Sequence, residues 1–171
     1  MRKFNFVKRT LIATTVALVT NFTAQAQVTE QSTNSFTVKH SFVSKKSVSL
    51  AKHQFGHAGW WWTSEFTQSG KGHNMFFNGK GLHEKLPSGE TITHLTKVKK
   101  GVWSGVLGKI RSEDAKGKMK VSIKEHHHST KITMEYTVTS NLLASNKNWP
   151  SYMDNMLAAQ MSSLKDSLNN R

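Results

Sequence analysis

From Ser69 to Gly117 the chain is punctuated by turn-forming pairs: Ser69-Gly70, Asn78-Gly79, Pro87-Ser88-Gly89, Lys100-Gly101 and Lys116-Gly117. The short segments between them are rich in β-branched and aromatic residues. Connections this tight join neighbouring antiparallel strands and leave no room for crossover helices, so the spacing predicts a meander. The expected strands lie near Asn74–Asn78, Leu82–Leu86, Thr91–Lys99, Val102–Leu107, Lys118–His127 and Thr130–Thr139. The last two define the faces of the sheet. Met119, Val121 and Ile123 alternate with Lys118, Lys120, Ser122 and Lys124, and Ile132, Met134, Tyr136 and Val138 alternate with Lys131, Thr133, Glu135 and Thr137. One face is apolar and the other solvated, so the sheet is covered on one side only.

The cover stands at the C-terminus. After Pro150, residues Met153, Met156, Leu157, Gln160, Met161, Leu164 and Leu168 recur every three to four positions. That pattern predicts an amphipathic helix of about 20 residues, with proline in its first turn and Asn148 or Ser151 as candidate caps. Upstream, Phe36, Val38 and His40 alternate with Thr37, Lys39 and Ser41, which marks a first strand over Phe36–Val43. Within Ser44–Ala58, Val48, Ala51 and Phe55 take helical spacing, and Gly56 and Gly59 end it ahead of Trp60-Trp61-Trp62. The fold class is therefore α+β. A seven-stranded antiparallel sheet wraps around a long C-terminal helix, and two short helices follow the first strand.

The N-terminus reads as an address. Arg2, Lys3, Lys8 and Arg9 precede an apolar run from Leu11 to Val19, and Ala24-Gln25-Ala26 follows, the layout of a secretory signal peptide. The run is broken by threonines and falls short of the roughly 20 residues that span a bilayer. The expected organisation is a signal peptide over residues 1–26, a flexible leader over 27–35 and one domain over 36–171. The expected location is periplasmic or secreted. The whole chain carries 24 Lys and Arg against 10 Asp and Glu, a charge of +14, and four of the cations leave with the signal, which gives 14 less 4, or +10. With no cysteine in the sequence, disulfide scaffolds, thiolate zinc sites and a cysteine nucleophile are excluded.

Several stretches, taken in order, resemble the START-like or SRPBCC superfamily of helix-grip proteins. They are FTVKHSF (Phe36–Phe42), WWTSEFTQSG (Trp61–Gly70), HEKLPSGETITHL (His83–Leu95), GKMKVSIKEHHHSTKITMEYTVTS (Gly117–Ser140) and NMLAAQMSSLKDSL (Asn155–Leu168). Within it the chain looks most like the exported branch grouped with polyketide cyclases and activators of heat-shock-chaperone ATPase. The resemblance covers about Phe36 to Leu168. It implies a cavity between the long helix and the sheet, used in the superfamily for hydrophobic or amphipathic small molecules. It does not imply one activity. LGKIRSEDAK (Leu107–Lys116) is more charged than the Gly-rich apolar segment usual there, and the stretch from helix to tryptophans is short.

Candidate ligand-binding residues follow from the inward strand positions and the tryptophans. Trp61 and Trp62 supply rigid apolar area with a polar N–H, either as a cap on a cavity mouth or as a core plug. Met75, Phe77, Met119 and Met134 from the strands, with Met153 and Met156 from the helix, supply adaptable apolar surface for a ligand or simply fill the core. His94 and Tyr136 place polar groups inward, where each needs a partner, and are the candidates for orienting a ligand. No cofactor is expected. His126-His127-His128 falls where the last hairpin turns, and no further ligand is suitably spaced, so it reads as a solvated turn rather than a metal site.

The sequence carries no G-x-S-x-G, H-E-x-x-H or P-loop. Glu65, Glu84 and His83 are the residues from which an acid–base pair in a cyclase-like pocket would be drawn. The cations after the signal are nearly all lysine, with only Arg111 and Arg171 as arginines, and they spread over outward strand positions and turns. That argues against a nucleic-acid module. The expected partner is a hydrophobic small molecule or lipid. The alternative is a basic surface that acts on anionic envelope lipid or polysaccharide.

Overall fold

The computed structural model describes residues 27–108, 110 and 112–170. The expected signal peptide lies outside the described residues. Eight strands form one antiparallel sheet: β1 (Gln27–Gln31), β2 (Ser35–Ser44), β3 (Met75–Phe77), β4 (Gly81–Lys85), β5 (Thr91–Lys99), β6 (Val102–Ser104), β7 (Lys116–His126) and β8 (Ser129–Thr139). Their spatial order is β1-β2-β8-β7-β6-β5-β4-β3. Helix α1 (Val48–Gly56) follows β2, and helix α2 (Trp149–Asn169) ends the fold. All seven expected strands are present. The two short helices after the first strand take the form of α1, capped by the Ser47 hydroxyl accepting from Leu50 N–H, and of single 3-10 turns at Ala58–Trp60 and Ser64–Phe66.

Two boundaries differ from the sequence reading, each for a physical reason. Residues 27–35, expected as a loose leader, instead contribute β1, which pairs with β2 so that Val28 faces Val38 and Gln31 faces Phe36. The pairing runs through the backbone, so a polar segment without alternation gives no sign of it. Strand β6 stops at Ser104 rather than Leu107. Gly105 leaves the strand with φ of 148°, and a Cβ there would sit 2.1 Å from the His94 carbonyl oxygen.

Helix α2 starts with Pro150 in its first turn and buries the expected stripe: Met153, Met156, Leu157, Gln160, Met161, Leu164 and Leu168. Each apolar member contributes roughly 1.5–3 kcal/mol through area removed from water. Polar clamps then fix where the helix sits. His40 Nε2 on β2 meets Asp154 Oδ1 at 2.8 Å. Gln160 Oε1 accepts from Thr63 N–H at 3.0 Å while its Nε2 donates to Thr63 Oγ1 at 2.6 Å. Gln54 of α1 donates to the Ser167 hydroxyl. The long helix is thereby tied to the sheet, to the loop after the tryptophans and to α1.

The β7–β8 hairpin turns through His127 and His128, whose φ angles are 45° and 60°. Two positive φ values make the tight turn whose twist matches that of the flanking strands. The histidine tract is therefore an exposed turn, with His126 paired to Ser129.

Candidate functional site

Two β-bulges in β5 shape the open part of the interior. Leu82 pairs with Leu95 and the adjacent His83 pairs with Thr93, which leaves His94 as an extra residue in β5. A bulge of this kind turns two successive side chains toward one face. His94 and Leu95 both point into the interior. Further along, Lys97 pairs with Trp103 and Lys99 with Val102, so Val98 is the extra residue of a second bulge. Lys97 and Trp103, as direct partners, share the inner face.

At this end of the sheet, α1 and β3, β5, β6 and β7 enclose an open cavity of about 530 Å³. That volume suits a small organic ligand. Its apolar lining comes from Phe55, Phe77, Trp103, Val121 and Ile123. The three aromatic rings pack on one another, with centroids 5.0 Å apart for Phe55–Phe77, 5.6 Å for Phe77–Trp103 and 6.0 Å for Phe55–Trp103. Such offset and tilted geometries hold the rings rigidly in place. Lys52, Lys97, Lys100 and Lys124 also line it, and no carboxylate does.

The first bulge builds a second feature. Glu84 is fully buried, and its carboxylate accepts from Gln68 N–H at 3.1 Å, from Ser69 N–H and from His94 Nε2 at 2.7 Å. Burial opposes its ionisation most strongly, yet the hydrogen bonds from Ser69, Gln68 and His94 outweigh it and hold the carboxyl below its ordinary value. His94 lines a second cavity, also of about 530 Å³, with Gln68, Ile92, Thr93, Val106 and Ile110 among its walls. The histidine hydrogen-bonded to Glu84 is thus His94 rather than His83. His83, on the other face, bonds instead to Thr93 Oγ1 at 3.0 Å and Asn78 Oδ1 at 2.9 Å. Asn78 Oδ1 can only accept, so Nε2 carries a proton, while the threonine hydroxyl can serve Nδ1 as donor or acceptor. Burial first, then the neighbouring His94 and Lys80, lowers the His83 pKa.

The ten residues expected to hold a ligand divide between these places. Phe77 lines the first cavity and His94 the second. Trp61, Trp62, Met75, Met119, Met134, Tyr136, Met153 and Met156 are buried in one apolar cluster and line neither cavity. Trp61, at 2% exposure, donates its indole N–H to the Phe55 carbonyl at 3.3 Å. The Trp62 indole N–H has no partner among the described residues. The Tyr136 hydroxyl is fully used: it donates to Gly105 O at 2.9 Å and accepts from Leu107 N–H at 2.9 Å. Burial pushes its pKa far above the ordinary phenol value despite the Leu107 bond, so the proton stays on. It closes the loop after β6 in a gap that Gly117 leaves open, where a Cβ would lie 2.1 Å from the hydroxyl oxygen. Tyr136→Phe is expected to cost about 1–3 kcal/mol, because a buried N–H and C=O lose their partner. Chemical denaturation checks this, and the near-ultraviolet circular dichroism of the variant should stay native.

Sequence reasoning missed Lys52, Phe55, Lys97, Lys100, Trp103, Val121 and Ile123 as cavity residues. Val121 and Ile123 were legible as inward positions, but which inward positions stay uncovered depends on where α1 ends. Among the described residues there is no group of three or more side chains able to hold a metal ion, and no helix long and apolar enough to cross a membrane.

The order of strands, the short helices after β2 and the long helix against one sheet face define an α+β helix-grip fold. Comparison with solved structures agrees. The chain is similar to Ara h 8.0201, at 10% identity and a TM-score of 0.51, over 80% of this chain and 99% of that one. It is also similar to the di-domain ARO/CYC protein BexL from the BE-7585A biosynthetic pathway, at 9% identity and a TM-score of 0.50 over 82% of this chain. It spans about half of BexL, 52% of that chain. A protein from Arthrobacter aurescens solved by NMR matches at 14% identity and a TM-score of 0.50, over 88% of this chain and 92% of that one. No protein-family model matches the sequence, and no curated protein matches it.

Proposed function

We propose that this chain is an exported binding protein that holds a hydrophobic or amphipathic small molecule in the cavity beneath α1. The observation that carries the reading is the open floor of Phe55, Phe77 and Trp103. Beneath α2 the interior is packed, with Met119, Met134, Met153 and Met156 all buried in one apolar cluster. Rigid aromatic surface left open at one end of a packed interior is what a small-molecule site requires. The Glu84 carboxylate is spent on two backbone N–H groups and the His94 ring that it orients, so it is not itself free to meet a ligand. Export rests on the first 26 residues of the sequence.

The test has two arms. N-phenyl-1-naphthylamine, a neutral apolar dye, is expected to gain fluorescence saturably with the purified protein. Expression of the full chain in a Gram-negative host should give a periplasmic product whose intact mass corresponds to Gln27–Arg171. Absence of saturable dye binding contradicts the cavity reading, and a product that retains Met1–Ala26 in the cytoplasm contradicts export.

A further inference from the structure

The cavity beneath α1 is apolar at its floor and cationic around it. Lys52 comes from α1, Lys97 from β5 and Lys100 from the turn before β6, so three separate elements bring one sign of charge to one opening. All three are exposed. None pairs with a described carboxylate, whereas on the outer face Lys39 and Lys120 both reach Glu135, at 4.0 and 2.6 Å. The second bulge in β5 matters here. Lys97 lies directly opposite buried Trp103, so its ammonium group rises from the same floor that a ligand's apolar part would cover. Like charges gathered at the mouth of a low-dielectric cleft focus the field outward and raise the local concentration of anions.

We infer that the ligand is a single-chain amphipathic anion: an apolar tail against Phe55, Phe77 and Trp103, and a carboxylate, sulfate or phosphate head among Lys52, Lys97 and Lys100. This rests on the binding role proposed above and narrows it to one chemical class. A neutral apolar ligand would leave three cations unanswered at the mouth. A polar anion without a tail would leave the aromatic floor wet.

Decanoate and 1-decanol separate the two contributions, because they share a chain and differ in charge. Each is titrated against bound N-phenyl-1-naphthylamine at low ionic strength. Decanoate is expected to displace the dye at several-fold lower concentration than 1-decanol, and the gap should narrow when salt is raised to about 0.5 M, where screening is strong. In the double variant Lys52→Gln with Lys97→Gln, decanoate should weaken by roughly 3- to 20-fold, as expected for the loss of two solvent-exposed charge contacts. The 1-decanol affinity should fall by less than that of decanoate, so that the gap between the two closes. Equal displacement by decanoate and 1-decanol, or an unaltered decanoate affinity in the variant, overturns the anionic class while leaving the cavity reading intact. Failure of the dye and of 1-decanol to bind overturns both. Phosphatidylglycerol vesicles form the last arm. Lysine-dependent capture on vesicles, without displacement of dye by decanoate, overturns the inference in favour of docking on a lipid surface.

Discussion

Glu84→Ala is expected to lower the unfolding free energy by about 3–5 kcal/mol at neutral pH, the range seen when one partner of a buried ion pair or hydrogen-bonded network is removed. The residue is inaccessible to solvent, and its loss strands three donors: Gln68 N–H, Ser69 N–H and His94 Nε2–H. Two of these belong to the loop after the tryptophans, so the substitution releases both that loop and the bulged histidine. Glu84→Gln should cost less, because its amide oxygen still accepts while its NH₂ faces a donor. Urea unfolding of the three proteins measures this, and a loss below about 1 kcal/mol for Glu84→Ala would show the network to be incidental.

The same carboxylate sets the acid limit of the fold. Its pKa is depressed relative to the unfolded value of 4.5, so its contribution is complete above that pH and is lost as pH falls through the depressed folded value. His83 acts over a higher range. Its folded pKa lies below 6.5, so the unfolded state takes up the proton first and stability declines as pH falls below that value. The expected profile is a gradual decline that begins near pH 6.5 and continues below 4.5. In Glu84→Ala the lower part should flatten.

Trp103→Ala is the second large effect, expected at about 3–5 kcal/mol of stability for truncation of a large buried ring. Trp103 is 9% exposed, packs against Phe55 and Phe77, and pairs across β6 and β7 with Met119. The variant should also lose at least about tenfold in affinity for N-phenyl-1-naphthylamine, since a tenfold change corresponds to only about 1.4 kcal/mol of the contact area removed. Phe77→Ala distinguishes the two consequences. That ring is less buried than Trp103, so affinity should fall with a smaller loss of stability. Denaturation and dye titration on the same preparations read both.

What the sequence disclosed and what it concealed divide along one physical line. Met119, Val121 and Ile123 in β7 and Ile132, Met134, Tyr136 and Val138 in β8 declare their faces through period-two alternation, and the stripe on α2 does so through period 3.6. Those elements and their cover were legible because each is a repeated local pattern. His94 was legible as an inward residue, but its partner was not. The bulge that sets it beside Glu84 rather than His83 is a register event between two strands, and no single segment encodes it. The Tyr136 hydroxyl was expected to await a ligand. It is taken by Gly105 and Leu107, which β6 frees by ending early. The cavity was least legible of all, because it lies where the cover stops. The methionines, read as lining a pocket or filling the core, are buried in the apolar cluster, and the open floor falls beneath α1, on Phe55, Phe77 and Trp103.

That placement gives the most direct measurement: amide and methyl chemical shifts of the labelled protein during titration with N-phenyl-1-naphthylamine. Saturable shifts centred on Phe55, Phe77, Val121 and Ile123, with the Trp103 indole N–H among the largest, are the predicted result. Shifts centred instead on Met153 and Met156 beneath α2, or on Ile92 and His94, or no saturable shift at all, would contradict the account.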